Sequence, residues 1–281
     1  MVNPKQVYSM NKQEQAFVET VWQQYRERGR HDLPWRQTTN PYKILVSEVM
    51  LQQTQVERVI GKYQAFIATF PSVKRLAAAS LGDVLKLWQG LGYNRRAKFL
   101  HAAAVAVVSE YGGMFPKDVQ GLQRLPGVGP YTAGAVAAFA YNEPVVMIET
   151  NIRQVYLHHF FSKRNEVHDA DILQLVERTV SLDTPREWYW ALMDYGSYLK
   201  RQHGNINQKS KHYTKQSKFA GSDRQIRGAI VKLLTQEAQP LTVGMVQKRL
   251  TAFAALRVAE QLAELQTEGM IVKVGFRYQL I

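Results

Sequence analysis

Three short segments of the 281-residue chain carry residue types at spacings that could do chemistry. In SEVMLQQTQV, residues 47–56, Glu48 is one carboxylate among apolar and amide side chains. Buried on a helix, such a carboxyl would have its pKa raised and could hold a proton at neutral pH, as a general acid must. The competing reading is a surface glutamate on an ordinary amphipathic helix. In VVMIETNIR, residues 145–153, Glu149 follows four apolar residues and precedes a helix start. It could complement the helix dipole there, or lend electrostatic support to a cation in a site. In LPGVGPYTAGA, residues 125–135, two glycines two residues apart open onto a helix. Gly127 and Gly129 either make a tight turn or let backbone N–H groups meet an anion at the helix N-terminus.

The elements that must position these residues read as mostly helical. Asn11 to Arg28 carries a period-3.6 stripe through Phe17, Val18, Val21, Trp22 and Tyr25, and Tyr42 to Phe70 is a second long amphipathic stretch. Ser72 and Ser80 are spaced as N-caps of short helices. Asn94–Tyr111, Tyr131–Tyr141, Asn151–Phe160, Ala170–Val180 and Arg186–Lys200 continue the series. No alternating strand pattern interrupts it, so an all-α domain is expected over 1–205. Residues 203–221 are polar, with four lysines interleaved with His212 and Tyr213. They read as a solvated linker, assigned to 206–221, or as a strap whose Lys209 and Lys211 contact phosphates. In 222–281, Ser222 is expected to cap a helix, Pro240–Leu250 and 254–267 form two more, and Met270–Val274 and Arg277–Ile281 flank a hairpin turn at Gly275-Phe276. That is a winged-helix pattern, a small α+β domain that binds DNA or mediates protein contacts.

Composition narrows the function classes. With 46% hydrophobic residues the chain is neither disordered nor fibrous. A formal net charge of +13 favours a polyanionic partner. The absence of cysteine excludes disulfides, thiol nucleophiles, cysteine-ligated zinc and the usual iron–sulfur clusters. No apolar run approaches the ~20 residues that span a bilayer, and the polar Met1–Glu14 stretch lacks the apolar core of a signal peptide. A cytoplasmic monomer with no membrane association is expected, nucleoid-associated if bacterial. Adjacent His158 and His159 face different directions on a helix and read as packing or surface residues; no metal site is expected.

Taken in order, these segments, with LPWR at 33–36 and LGY at 91–93, resemble the helix-hairpin-helix DNA glycosylase superfamily, and within it the adenine DNA glycosylases of the MutY family. The resemblance covers roughly residues 11–200. It implies a catalytic domain of two helical subdomains that flips a base out of double-stranded DNA into a pocket. On it, Glu48 matches the general acid and Glu149 the carboxylate that stabilises the sugar cation. Tyr131 stands where bifunctional relatives carry a Schiff-base lysine, which implies a monofunctional enzyme. Gln53 matches an amide wedge beside the opposing base, and Tyr93 an intercalating tyrosine. Leu33, Trp35 and Asp194 match base-pocket positions, with core packing as the alternative for each. Gly127, Val128 and Gly129 would grip a DNA phosphate, with a monovalent cation on the hairpin carbonyls as the one cofactor considered. The implied reaction is hydrolysis of the N-glycosidic bond of a mispaired base, adenine opposite guanine or oxidised guanine, in base excision repair.

Three departures qualify the match. The family usually has four cysteines after the Asp194 helix, holding a four-iron cluster, and here a lysine-rich segment stands in their place. Glu149 is one methylene longer than the usual aspartate, and misplacement near 1 Å can cost ~100-fold in rate. The family's lesion-checking C-terminal domain is replaced by the winged-helix pattern. The rivals are a glycosylase of the same fold acting on mismatched thymine, uracil or another damaged base, and a non-catalytic DNA-binding protein.

Overall fold

The helix boundaries follow the capping residues. Asn11 and Glu14 close a reciprocal capping box, each side chain accepting the other's backbone N–H at 2.9 Å. Ser72 and Ser80 cap the next turn of chain as expected, accepting from the N–H groups of Arg75 and Asp83. A computed structural model describes residues 9–216 and 218–281, so the first eight residues of the polar N-terminal stretch lie outside the described part. In chain order the helices are α1 (Lys12–Arg28), α2 (Pro41–Leu51), α3 (Val56–Thr69), α4 (Val73–Ala77), α5 (Leu81–Trp88), α6 (Arg95–Tyr111), α7 (Val119–Gln123), α8 (Pro130–Tyr141), α9 (Thr150–Phe160), α10 (Asp169–Thr179) and α11 (Pro185–His203). Short 3-10 turns lie at Pro34–Arg36 and Ile206–Lys209. Then come α12 (Asp223–Gln236), β1 (Leu241–Thr242), α13 (Val243–Arg249), α14 (Ala255–Thr267), β2 (Ile271–Val274) and β3 (Arg277–Leu280).

The expected helical majority with a small C-terminal sheet is present, with four local corrections. The stretch from Tyr42 to Phe70 is two helices, because Gln53 takes a left-handed φ of +56° that no helix continues through. Leu241–Thr242 is a strand and not the start of a helix: it pairs with Tyr278 and Arg277, and the Thr242 hydroxyl then caps α13 through the N–H of Met245. Ser222 precedes α12, but its hydroxyl donates to the carbonyl of Phe219 and makes no cap. Helix α7 was not expected; five residues are too few to show a period, and its one signal is the Asp118 cap on the N–H of Gly121 at 2.7 Å.

The chain forms two compact units. The first joins residues up to Leu45 with Pro116–Arg124 and Val128–Lys215. Its core lies where α1, α9 and α11 meet, around fully buried Phe17, Tyr156, Trp188 and Tyr189. Helix α11 passes α9 so closely that a Cβ on Gly196 would stand 2.2 Å from the carbonyl oxygen of Asn151. Only glycine allows that approach.

The second unit joins Val46–Phe115, Leu125–Gly127 and Gln216–Ile281. Phe66, Leu76, Val84, Leu85 and Trp88 are buried among α3 to α6. Helix α12 packs on α5, and the N–H of Gly82 donates to the carbonyl of Ile281 at 2.7 Å. The antiparallel sheet has the order β1-β3-β2, with Ile271 opposite Leu280 and Val274 opposite Arg277. Ile226, Ile230, Val246, Val258, Leu262 and Met270 are buried beneath it.

Candidate functional site

Glu48 is buried at 6% exposure on α2, between Ser47 at 1% and Val49 at 5%. Tyr42, Ile44, Leu45, Val46 and Met50 are buried as well, so this helix is enclosed nearly all round. The reading of Glu48 as a surface glutamate on an amphipathic helix therefore falls.

Glu149 is the N-cap of α9. Its Oε1 accepts from the backbone N–H groups of Asn151 at 2.6 Å and Ile152 at 2.8 Å, and Oε2 from the Asn151 amide at 3.3 Å. Burial of the carboxyl pushes its pKa above the usual carboxylate range, against the downward pull of the two backbone amides and Arg153. The position of the carboxyl is thus fixed by the helix it caps. Beside it, Gly196 on α11 sets how closely the Asn151 backbone can lie.

Leu33 and Trp35 are buried at 8% and 6% exposure in the loop after α1. Asp194 anchors that loop. Arg36 forks onto both its oxygens at 2.7 and 3.0 Å, and Arg30 adds its backbone N–H at 2.8 Å and Nε at 2.7 Å. Burial raises the Asp194 pKa, but the hydrogen bonds and charges of Arg36 and Arg30 outweigh it and hold the carboxyl below the usual range. The Arg36 guanidinium also lies 5.3 Å from the ring centroid of Trp190. The sequence singled out Asp194 and the LPWR string, and the ion pair explains why they go together.

Gln53 and Tyr93 sit at two sharp turns, and both have left-handed φ, +56° and +48°. Arg96 ties the turns together. Its guanidinium donates to the carbonyls of Val49 at 2.8 Å, Met50 at 2.9 Å and Gln52 at 2.5 Å, and to Thr54 Oγ1 and the carbonyls of Leu91 and Gly92 at 3.1 Å each. Burial pulls its pKa down to about 10. A cation at the C-terminal end of α2 also complements that helix's dipole. Arg96 was missed in the sequence, where nothing sets it apart from its neighbour Arg95.

At the hairpin, Gly127 has φ +74°, and a Cβ there would stand 2.4 Å from the Cβ of Phe99. Gly129 is the extended N-cap of α8, with Pro130 at the first helical position, and Val128 is buried at 6%. Tyr131 is half-buried on the first turn of α8.

Residues 203–215 are hydrogen-bonded into the first unit. The Asn207 amide donates to the Thr150 carbonyl at 3.1 Å and to Gln154 Oε1 at 3.0 Å. Gln154 Nε2 donates to the Gly204 carbonyl at 2.8 Å. Val167 bridges to this strap by accepting from the N–H of Lys211 at 3.0 Å and donating to the carbonyl of Lys209 at 2.9 Å. The Lys209 ammonium donates to the Ser162 carbonyl. Gln154 and Asn207 are both nearly fully buried and were missed, since a lone amide has no sequence signature. With no thiolate in the chain, this segment does not fit a four-iron cluster. Among the described residues no group of His, Asp and Glu could hold a metal ion. His159 bonds the Tyr195 hydroxyl at 2.9 Å and His158 stacks on His203.

Glu48, Gln53, Tyr93 and Gly127 thus belong to the second unit. Glu149, Tyr131, Leu33, Trp35, Asp194, Val128, Gly129, Lys209 and Lys211 belong to the first. No described helix is long and apolar enough to cross a membrane.

Residues 46–178 match the HhH-GPD superfamily of base excision DNA repair proteins. The adenine DNA glycosylase of Mycolicibacterium smegmatis is 36% identical over 233 residues, covering 77% of this chain and 80% of the relative. That of Mycobacterium tuberculosis is 33% identical over 239 residues, covering 77% and 78%. The structure of a thermostable thymine-DNA glycosylase superposes with a TM-score of 0.61 at 27% identity, covering 72% of this chain and 97% of that one. By these similarities the chain belongs to the adenine DNA glycosylase family of the HhH-GPD superfamily.

Proposed function

We propose that the protein is a monofunctional DNA glycosylase that removes adenine mispaired with guanine or oxidised guanine from duplex DNA. The observation that carries this reading is Glu48, a carboxyl buried at 6% exposure on an enclosed helix at the family's general-acid position. In the proposed reaction the adenine is flipped out of the stack. Glu48 gives its proton to the ring, the bond from the sugar to the base nitrogen breaks, and the electron pair leaves with the neutral base. Water then adds to the sugar carbon and loses a proton. Glu149 supports the cationic sugar in between. Burial favours its neutral form, while the two backbone amides, Arg153 and a cation beside it favour the charged form. Tyr131 carries no amine, so no Schiff base forms and the strand is left uncut.

The remaining assignments belong to the same proposal. Gln53 and Tyr93 enter the duplex beside the opposing base, and Gly127, Val128 and Gly129 grip a phosphate, with Lys209 and Lys211 as further phosphate contacts. Leu33 and Trp35 line the base pocket, while Asp194, with its oxygens on Arg30 and Arg36, holds their loop in place. Residues 1–205 form the glycosylase domain, 206–221 a basic connection whose residues up to 215 are hydrogen-bonded to that domain, and 222–281 a winged-helix domain. A cytoplasmic monomer acting on DNA fits the net charge of +13. The likeness to a thymine-DNA glycosylase favours one second reading, removal of mismatched thymine or uracil.

The test uses labelled duplexes with adenine opposite oxidised guanine, adenine opposite guanine, and thymine or uracil opposite guanine. Alkali-labile product at adenine alone, abolished by Glu48→Gln with DNA binding retained, is the expected result. Product at the pyrimidines would transfer the activity to the second reading. Equal binding by both forms with no product on any duplex would make the protein a binder.

A further inference from the structure

Two donors from the C-terminal part of the chain converge on the two left-handed turns, all within the second unit. The Gln216 amide nitrogen donates to Gln53 Oε1 at 2.9 Å and also to the phenol oxygen of Tyr93. Arg224, in the first turn of α12, donates to the same phenol oxygen, and its Cζ lies 5.3 Å from the ring centroid. Arg96 lies 5.6 Å from that centroid but spends its Nη groups on backbone carbonyls and Thr54. Gln216 is exposed and Arg224 half-buried, so both face solvent at the tips of the two turns.

Wherever Gln53 and Tyr93 meet DNA, groups hydrogen-bonded to their polar ends arrive within one side chain's length of the same place. Once a tyrosine ring and an amide enter a base stack, the donors they leave behind face the strand they have entered. That strand offers acceptors of one chemistry, electronegative oxygen and nitrogen, from two sources: phosphate oxygens and the O6 and N7 edge of a guanine. We infer that Gln216 and Arg224 form part of the DNA interface, donating to acceptors on the strand that carries the base opposite the excised one. This rests on the reading of Gln53 and Tyr93 as the residues that enter the duplex. It gives the segment from Gln216 into α12 a direct share in DNA recognition, although it lies outside the part of the chain that resembles the family by motif.

The test measures binding of the full chain to duplexes carrying uncleavable 2′-fluoro-adenosine opposite guanine or opposite cytosine, over a range of salt concentrations. Arg224→Ala is expected to weaken binding about tenfold, and Gln216→Ala less, with thermal unfolding unchanged. Equal weakening on both duplexes, a log–log salt slope shallower by about 1, and recovery in Arg224→Lys identify a phosphate. Weakening confined to the guanine duplex, without recovery by lysine, identifies the base edge. Affinities within twofold of wild type on both duplexes for the double variant would overturn the inference. So would an Arg224→Ala effect that vanishes in a Tyr93→Phe background, since Arg224 would then act only through the phenol. Release of adenine from ordinary substrate by the wild type is followed separately. Its absence would count against the enzymatic reading, while the binding comparison still decides this one.

Discussion

Gln53 and Tyr93 share a left-handed backbone, and the guanidinium of Arg96 donates to the carbonyl just before each of them, those of Gln52 and Gly92. A non-glycine residue in that conformation costs on the order of 1–3 kcal/mol and persists only when its surroundings over-determine it. Arg96 supplies that determination from one half-buried cation. The two residues assigned to DNA entry are therefore held in a costly shape before any DNA arrives.

Arg96→Ala should lower stability by on the order of 3 kcal/mol, because several part-buried carbonyls and the end of α2 lose their donor at once. Arg96→Lys should recover little, since an ammonium cannot fork across two turns. Urea unfolding of the three proteins measures this. A loss below about 1 kcal/mol for alanine would mean that the turns hold themselves.

Gln53→Gly separates stability from function. Glycine accepts φ +56° without strain, so unfolding free energy should stay within about 0.5 kcal/mol of wild type or rise. Adenine release under single-turnover conditions should slow, because the amide is gone. Faster release, or a marked loss of stability, would contradict the strained-wedge account.

Asp194→Asn should cost about 3–5 kcal/mol at neutral pH by leaving Arg36 buried without its partner. The pH dependence has a definite sign. The Asp194 pKa is lowered from 3.8 in the folded protein, so its contribution is complete above that value and disappears as pH falls through the lower folded pKa. The stability gap between wild type and variant should therefore hold at pH 5 and close only below 3.8. A gap that closes between pH 5 and 7 would assign the effect to another group.

Gly196→Ala places a methyl where 2.2 Å separates it from the Asn151 carbonyl, so α9 or α11 must shift. A destabilisation of about 1–3 kcal/mol is expected. Because Asn151 also donates to Glu149, kcat for adenine release should fall more than KM changes. Unaltered kcat in a folded variant would detach the position of Glu149 from helix packing.

Much of the fold was legible because its signals are local. Ser72 and Ser80 announced helix starts through side-chain oxygens three residues before their partners, and periodic apolar residues outlined the longer helices. The break at Gln53 was hidden, since a glutamine with positive φ looks like any other glutamine and its cause lies at Arg96, 43 positions away by residue number. Thr242 was misread for a similar reason: the residues that make Leu241–Thr242 a strand are Arg277 and Tyr278. The same rule divides the candidate site. Glu48, Glu149 and the glycines stood out by type and setting, whereas the Asp194 ion pairs and the Asn207–Gln154 amide pair depend on partners far along the chain.

The second unit is assembled from stretches made at very different times. Residues 46–115 leave the ribosome early, but 216–281 follow only after the intervening 116–215. At roughly 5–20 residues per second, that is a wait on the order of 5–20 s. Until then the surface of α5 that receives α12, and the Gly82 N–H that meets the Ile281 carbonyl, have no protein partner. The helices translated first in this unit are thus the ones that depend longest on protection from aggregation, and a chaperone holding the nascent chain would find its binding surface on α5.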